Sequence, residues 1–513
     1  MSNQSMHVEG GRRRARWWPL LLILVLEVIA FVVIWNGPAI QRQERVMRSG
    51  AAIMIGVGLV FLWLLFLSRI RGRVRIGGAV GMVVAIAGMA SLFRYEGVSG
   101  DLVPLFSPRW RAPATSAVSK AQPGKLPENF AGYPQFLGPT RDGLIPGPLL
   151  ARDWSTRPPE VIWRVPVGEG FAGFAIAGAR ALTLEQDGAS ELVICRDLFT
   201  GATQWVHQAA ARYENAVGGT GPRTTPTVVG ERVLTMGATG LLHCLELETG
   251  RVVWQRDTLA DAGGKCPDWG VACSPLVANG LVIVAAGGRE HSLAAYRLED
   301  GRPAWSAGDA RAGYSSPQLV ILAGVPQFLV FNHDGVAGHS SADGHVLWTY
   351  PWPPSAQHVS DPRVVAPNQF VVSSGYGGGV DLVELTREGK SWKTSRLWHS
   401  NRLKSKFGSL VVREGFLYGL DDGRLTCIDL ANGEAKWKGG RTGHGQILLA
   451  GDALLVTAEN GDVLLMEASP QAARELGRFR TLSGKMWNPP ALAPPYLIVR
   501  TEREAACYRL PLK

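Results

Sequence analysis

The chain has 513 residues and a formal net charge of +10, and its length allows more than one domain. The charge is uneven: residues 1–111 hold 14 arginines, no lysine and five acidic residues, a balance of +9, so the rest is close to neutral. A nucleic-acid groove needs cations clustered on a folded domain, so this distribution argues against nucleic-acid partners.

The arginines flank apolar segments. Residues 1–16 form a basic N-terminus with Arg12, Arg13, Arg14 and Arg16. Three membrane-spanning helices are predicted at about 17–36, 51–69 and 76–93, each near the length that crosses a bilayer. The third is rich in glycine and alanine, and its crossing is the weakest prediction of the three. Four more arginines, Arg69, Arg71, Arg73 and Arg75, separate the second and third spans. The positive-inside rule then places the N-terminus and this loop in the cytoplasm and everything after Phe93 outside. That makes a multi-pass membrane protein with its main domain outside the cytoplasm. Glu27 lies within the first span, where an ionisable residue pairs with a neighbouring helix or serves a function. Residues 94–130, with Pro104, Pro108, Pro113, Pro123 and Pro127, have the composition of a linker.

From about residue 160 the chain alternates short β-runs with Gly, Asn, Asp and Pro. A strand-ending aromatic recurs every 40 to 50 residues or so, the period of a propeller. These are Trp163, Trp205, Trp254, Trp305, Trp348, Trp398 and Trp437, with Phe479 in the eighth place. In the best copies a turn residue and a glycine precede the Trp, as in Thr249, Gly250 and Trp254 or Asn432, Gly433 and Trp437. Trp163 precedes the first complete unit, and the last unit, ending near Leu510, lacks a fourth strand. Residues 131–513 are therefore predicted to form an all-β, eight-bladed β-propeller of four-stranded blades, its ring closed by an N-terminal strand and preceded by transmembrane helices. Each Trp should pack between neighbouring blades and bond a backbone carbonyl through its N–H.

The Gly-x-x-x-Trp strand ends resemble the docking motif of the pyrroloquinoline-quinone-type (PQQ-like) propeller superfamily. The stretch Tyr133 to Gly143 is similar to a leader found before many bacterial members. The resemblance covers about residues 130–513 and implies the fold. It leaves activity open, because the superfamily holds both quinone-dependent dehydrogenases and non-enzymatic scaffolds.

Cys195, Cys244, Cys427 and Cys507 occupy equivalent third-strand places and read as small buried hydrophobes. Cys266 and Cys273 flank a short loop and are candidates for a disulfide in an oxidising compartment. Their spacing is not that of a Cys-x-x-Cys redox pair. Gly168, Gly170 and Gly173 match a dinucleotide-binding pattern by letter, but a strand follows where a helix is required. No zinc or other metal ligand set is legible.

The positions before each first strand should line one mouth of the central channel. They include Arg223, Trp269, Tyr314, His358, Asp361, Lys404, Lys406, His444, Trp487 and Asn488, a set able to hold a flat or anionic ligand. Two functions follow. One is a membrane-anchored, non-enzymatic binding or scaffold module for envelope proteins, with no cofactor and no catalytic residue. The other, implied by the resemblance, is a membrane-bound dehydrogenase of alcohols or sugars using PQQ and Ca2+. There Asp361 would be the base, with His358, Lys406 and Trp487 contacting the cofactor.

Overall fold

The computed structural model describes residues 15–37, 41–110, 118–119, 124–353 and 357–513. The arginines before Ala15, and Pro113 and Pro123 of the expected linker, lie outside the described residues. The chain divides into two compact units, residues 1–113 and 114–513.

The first unit contains α1 (Trp18–Asn36), α2 (Arg42–Leu62, prolonged by a π-helical turn, Trp63–Leu67) and α3 (Gly72–Leu92). All three are long and apolar enough to cross a membrane. The second starts nine residues, and the third four residues, earlier than the uncharged stretches indicate. Arginine is a good helix former whose aliphatic stem tolerates an apolar flank, so each helix continues through its arginines. Glu27 turns onto α2: a Cβ at Gly56 would lie 2.2 Å from Glu27 Oε1. The missing side chain at Gly56 is what admits the carboxyl between the helices. Phe93–Val98 and Pro104–Pro108 pair as an antiparallel hairpin, so the first part of the expected linker is ordered.

The second unit is a ring of eight antiparallel blades. Blades 1 to 7 span residues 175–209, 227–257, 276–307, 318–351, 363–400, 411–441 and 446–480. Blade 8 takes three strands from 491–509, and its fourth is Glu160–Pro166, where Trp163 lies opposite Cys507. The ring thus closes as the unpaired last unit requires. Arg500, fully buried, seals this seam from blade 8. It donates to Thr183 Oγ1 and Leu184 O of blade 1 and to Gly168 O and Gly170 O just before it.

Blade-to-blade contact repeats one device. The Trp of a fourth strand lies over the glycine in the last turn of the next blade: Trp163 over Gly201, Trp205 over Gly250, Trp254 over Gly301, Trp305 over Gly344 and Trp398 over Gly433. Those glycines have φ between +69° and +77°, and a Cβ there would meet the indole at 2.2–2.9 Å. Both the backbone conformation and the close approach demand glycine. The indole N–H donates to the next blade's carbonyl from Trp163 (Leu198), Trp205 (Leu247), Trp254 (Leu298), Trp398 (Leu430) and Trp437 (Ser469) at 2.8–2.9 Å. Within each blade the residue opposite the Trp is mostly small: Cys195, Cys244, Cys427 and Cys507, with Ala295 and Gly338 in two others. That explains the equivalent cysteines.

Trp348 departs from the rule. The outer hairpin of blade 5 has ten-residue strands, which carries its turn glycine Gly389 out of reach. Trp348 stacks on Phe370 at 5.3 Å and donates to Gln327 of its own blade.

The expected Cys266–Cys273 disulfide is not formed. Cys273 is buried and its sulfur accepts from the Ala285 N–H, while Cys266 is exposed and bonds Ala238 O. The two thiols serve separate backbone groups.

Replacing Gly230 by Ala, at φ +53° in open space, should cost about 1 kcal/mol from the left-handed backbone alone. Gly250→Ala adds a clash with Trp205 and should cost about 3 kcal/mol or more. Urea unfolding followed by tryptophan fluorescence measures both; equal losses would contradict indole docking on the turn.

Candidate functional site

In blades 2 to 6 the residue that opens the first strand is small and polar, and it faces its neighbour around the ring. Ser274 Oγ accepts from Thr225 N, Ser316 Oγ from Ser274 N, and Asp361 Oδ1 from Ser316 N; Ser409 Oγ donates to Asp361 Oδ2. These bonds join blades 2 through 6 in a buried belt. The following Pro226, Pro275, Pro317 and Pro362 need no strand partner for a missing N–H.

Asp361 is therefore not at the mouth. It is 1% exposed and its carboxylate is held by two neighbouring blades; burial raises its pKa, an effect that the nearby Arg363 and Arg141 guanidinium groups only partly offset. Arg141 comes from the leader. Tyr133 pairs with Ile176 of blade 1, Pro134 O accepts from Val228 N of blade 2, and Leu144–Ile145 adds in parallel to the first strand of blade 7. The leader thus runs against the innermost strands. Arg141 reaches from it to Ser274 O and Pro275 O, and Arg363 donates to Arg141 O. Burial lowers the Arg141 pKa to about 10, still far above neutrality.

Asp361 does not fit the base expected in the quinoprotein reading. A base must reach a substrate, and a calcium ligand must offer free lone pairs away from fixed cations. Asp361 offers neither, and its role is to hold the belt. His358 also leaves the predicted set: it is buried, stacked on Phe331 at 4.2 Å, and its Nδ1 bonds Asn332 O. Burial lowers its pKa. Lys404 turns away to Asp421 and Asp422. Asn488 is buried before blade 8.

The other predicted residues do converge. Phe171 stacks on Trp487 at 5.0 Å, Trp487 meets Phe407 at 5.3 Å, Phe407 meets Trp269 at 5.9 Å, and Trp269 meets Tyr314 at 5.3 Å. Tyr376 and His444 flank this chain of rings at 6.4 Å from Trp269 and 5.6 Å from Phe407. Because Trp269 precedes blade 3 and Phe407 precedes blade 6, their contact crosses the mouth. Three cations lie on the rings: Lys485 4.6 Å over Trp487, Lys406 4.6 Å over Tyr376, and Arg223 5.0 Å over Tyr213. Both lysines are buried, while Trp269, Tyr376, Phe407 and Trp487 remain half-exposed. Lys485 pairs with Glu502 at 2.7 Å, and the Trp487 indole donates to Glu459. The Trp269 N–H donates to the Tyr314 hydroxyl, whose pKa burial pushes up to about 12, so it stays neutral.

Sequence reasoning missed Tyr376, Lys485, Glu459 and Glu502. Tyr376, Glu459 and Glu502 sit in the turns between second and third strands, which reach the same mouth as the segments before each first strand. A search of both segment types would have found them. The assembled floor is suited to stacking against flat or apolar groups and to holding negative charge.

The family model described as "Outer membrane protein assembly factor BamB" matches residues 189–439. The outer membrane protein assembly factor BamB of Bordetella pertussis is 24% identical over 365 residues, covering 66% of this chain and 83% of that protein. Among solved structures, a europium-containing methanol dehydrogenase aligns with a TM-score of 0.55 at 11% identity, covering 74% of this chain and 98% of its own. BamB from Moraxella catarrhalis aligns with a TM-score of 0.44 at 15% identity, covering 64% and 93%. The dehydrogenase likeness concerns the fold alone. The second unit is a PQQ-like β-propeller, as its strand ends imply.

One buried carboxyl beside the mouth gives a titratable test. Glu191 of blade 1 accepts from Ala238 N of blade 2, and burial raises its pKa to about 7. A raised carboxyl pKa means the folded state loses stability as pH climbs from the unfolded value of about 4.5 through about 7. Glu191→Gln should match the wild-type Tm near pH 5 and exceed it by a few degrees near pH 8, because Gln keeps the acceptor without the charge. A lower Tm for the variant at both pH values would contradict this assignment.

Proposed function

We propose that this chain is a multi-pass protein of the bacterial cytoplasmic membrane that carries its propeller on the periplasmic side as a non-enzymatic docking module for other envelope proteins. The observation that carries the reading is the mouth. Segments from all eight blades converge there on half-exposed aromatic rings backed by buried cations. Rigid aromatic residues over a packed support are the side chains on which protein interfaces concentrate binding energy. The two buried lysines and Arg223 favour an acidic or carboxylate-bearing contact on the partner. The name of the Bordetella pertussis relative, an outer membrane protein assembly factor, supports a place in the envelope. The arginines around Arg71 and α1 to α3 support the membrane anchor and its orientation.

The quinoprotein alternative has the fold in its favour, but its expected base, Asp361, is buried. It needs a carboxylate open to substrate where Asp361 is held between Ser316 and Ser409.

Two measurements test the proposal. Cys266 is the exposed thiol, so a membrane-impermeant maleimide should label it in intact spheroplasts; labelling only after lysis would reverse the orientation. A photo-crosslinker at position 269 should join one defined envelope protein, and Trp487→Ala should weaken that joining severalfold. Equal joining from position 390, an exposed site on the outer hairpin of blade 5, would remove the mouth as the docking surface.

A further inference from the structure

The hairpin Phe93–Val98 and Pro104–Pro108 begins at the residue after α3 ends, with no spacer. Its register divides it into two unlike faces. Phe93 lies opposite Pro108 and Tyr95 opposite Phe106, so these four side chains share one face. Trp110 joins them, 5.9 Å from Phe93, and Tyr95 meets Phe106 at 5.9 Å. The other face carries Arg94 opposite Ser107, and Ser107 Oγ donates to Glu96 at 2.6 Å. The aromatic face is bare: Tyr95 is 55%, Phe106 63% and Trp110 69% exposed. A two-stranded hairpin has no core to bury such residues and is marginal in water by itself.

The tip of the hairpin is tied down. Asp101, in the turn, accepts from Arg42 Nε at 2.9 Å. Arg42 is the first residue of α2, so this bond ties the hairpin turn to the start of α2. A six-residue strand is roughly 20 Å long. With one end fixed to α3 and the turn held at the start of α2, the hairpin lies across the end of the bundle and does not project from it. The aromatic side continues the apolar surface of α3, where Met89 and Leu92 are exposed. Arg94 and Arg109 sit at its base, and Arg45 and Arg48 lie in the first turns of α2.

We propose that this hairpin is an interfacial anchor that lies in the headgroup layer of the bilayer, its aromatic face toward the acyl chains and its arginines among lipid phosphates. The proposal rests on the reading of α1 to α3 as membrane spans. Aromatic side chains with a polar edge favour this layer, and anionic headgroups attract arginines beside it. The occupant is lipid because the bare face is continuous with the helical surface that meets the acyl chains. The device would fix where the bilayer ends on this chain, immediately before residue 111.

The test uses the full chain with Cys266→Ser, in vesicles of phosphatidylethanolamine and phosphatidylglycerol. A nitroxide is attached at Phe106→Cys or, as a second site, Trp110→Cys. References are Val84→Cys in α3 and Lys390→Cys on the propeller. The proposal predicts that labels at 106 and 110 collide with oxygen severalfold more than with an aqueous nickel chelate, at values between the two references. If 84 reads as bilayer but 106 and 110 match 390, the hairpin is not in lipid and the proposal falls. If 106 and 110 are shielded from oxygen and chelate alike, a protein covers the face, which also overturns it. If 84 itself matches 390, the membrane reading fails first.

Discussion

At five of the eight junctions a blade is held to the next by an indole lying on a glycine whose place no larger residue can take. The contact combines a large apolar area, a directed N–H bond and a left-handed backbone at the glycine. A cysteine, alanine or glycine often stands opposite the Trp, which leaves room for the ring, although Trp398 docks with Leu382 opposite it. The same requirement fixes the order of the blades and brings Glu160–Pro166 back to the last one. Blade 5 shows the rule by its exception: once its outer hairpin lengthens, Trp348 must find another partner.

Closure of the ring decides what the channel can be. The belt of small polar residues is satisfied from blade to blade, and Asp361 belongs to that belt. The leader fills space against the inner strands with Tyr133 and Arg141. Buried and held by two neighbouring blades, the Asp361 carboxylate is not open to a substrate. What remains accessible is the aromatic floor of the mouth, where lysines are buried under rings rather than presented to water. That surface is suited to stacking and to negative charge, as the proposed docking role requires.

The architecture was legible in the sequence because its signals are periodic. The Trp spacing gave the blade count, and the mismatch of one between aromatics and complete units gave the closure through Trp163. The mouth was legible in part. Arg223, Trp269, Tyr314, Lys406, His444 and Trp487 do meet there, because each precedes a first strand by a few residues. Asp361 and His358 precede one too, but Asp361 replaces the belt serine and His358 stacks on Phe331. Position along the chain does not separate a residue facing the mouth from one turned into the wall. The Cys266–Cys273 pair failed for a similar reason: closeness in sequence says nothing about where two sulfurs point. The hairpin after α3 was hidden by its prolines, Pro104 and Pro108, which sit at the ends of a strand where a missing N–H does little harm.

The most direct measurement is a titration of the full chain with PQQ and Ca2+, read by quenching of tryptophan fluorescence and by thermal shift. The mouth holds Trp269 and Trp487, so a bound quinone would report itself. A docking mouth with Asp361 buried in the belt predicts neither saturable quenching nor a rise in Tm at high micromolar PQQ. Saturable, stoichiometric binding that raises Tm would contradict the account and return the propeller to the dehydrogenases.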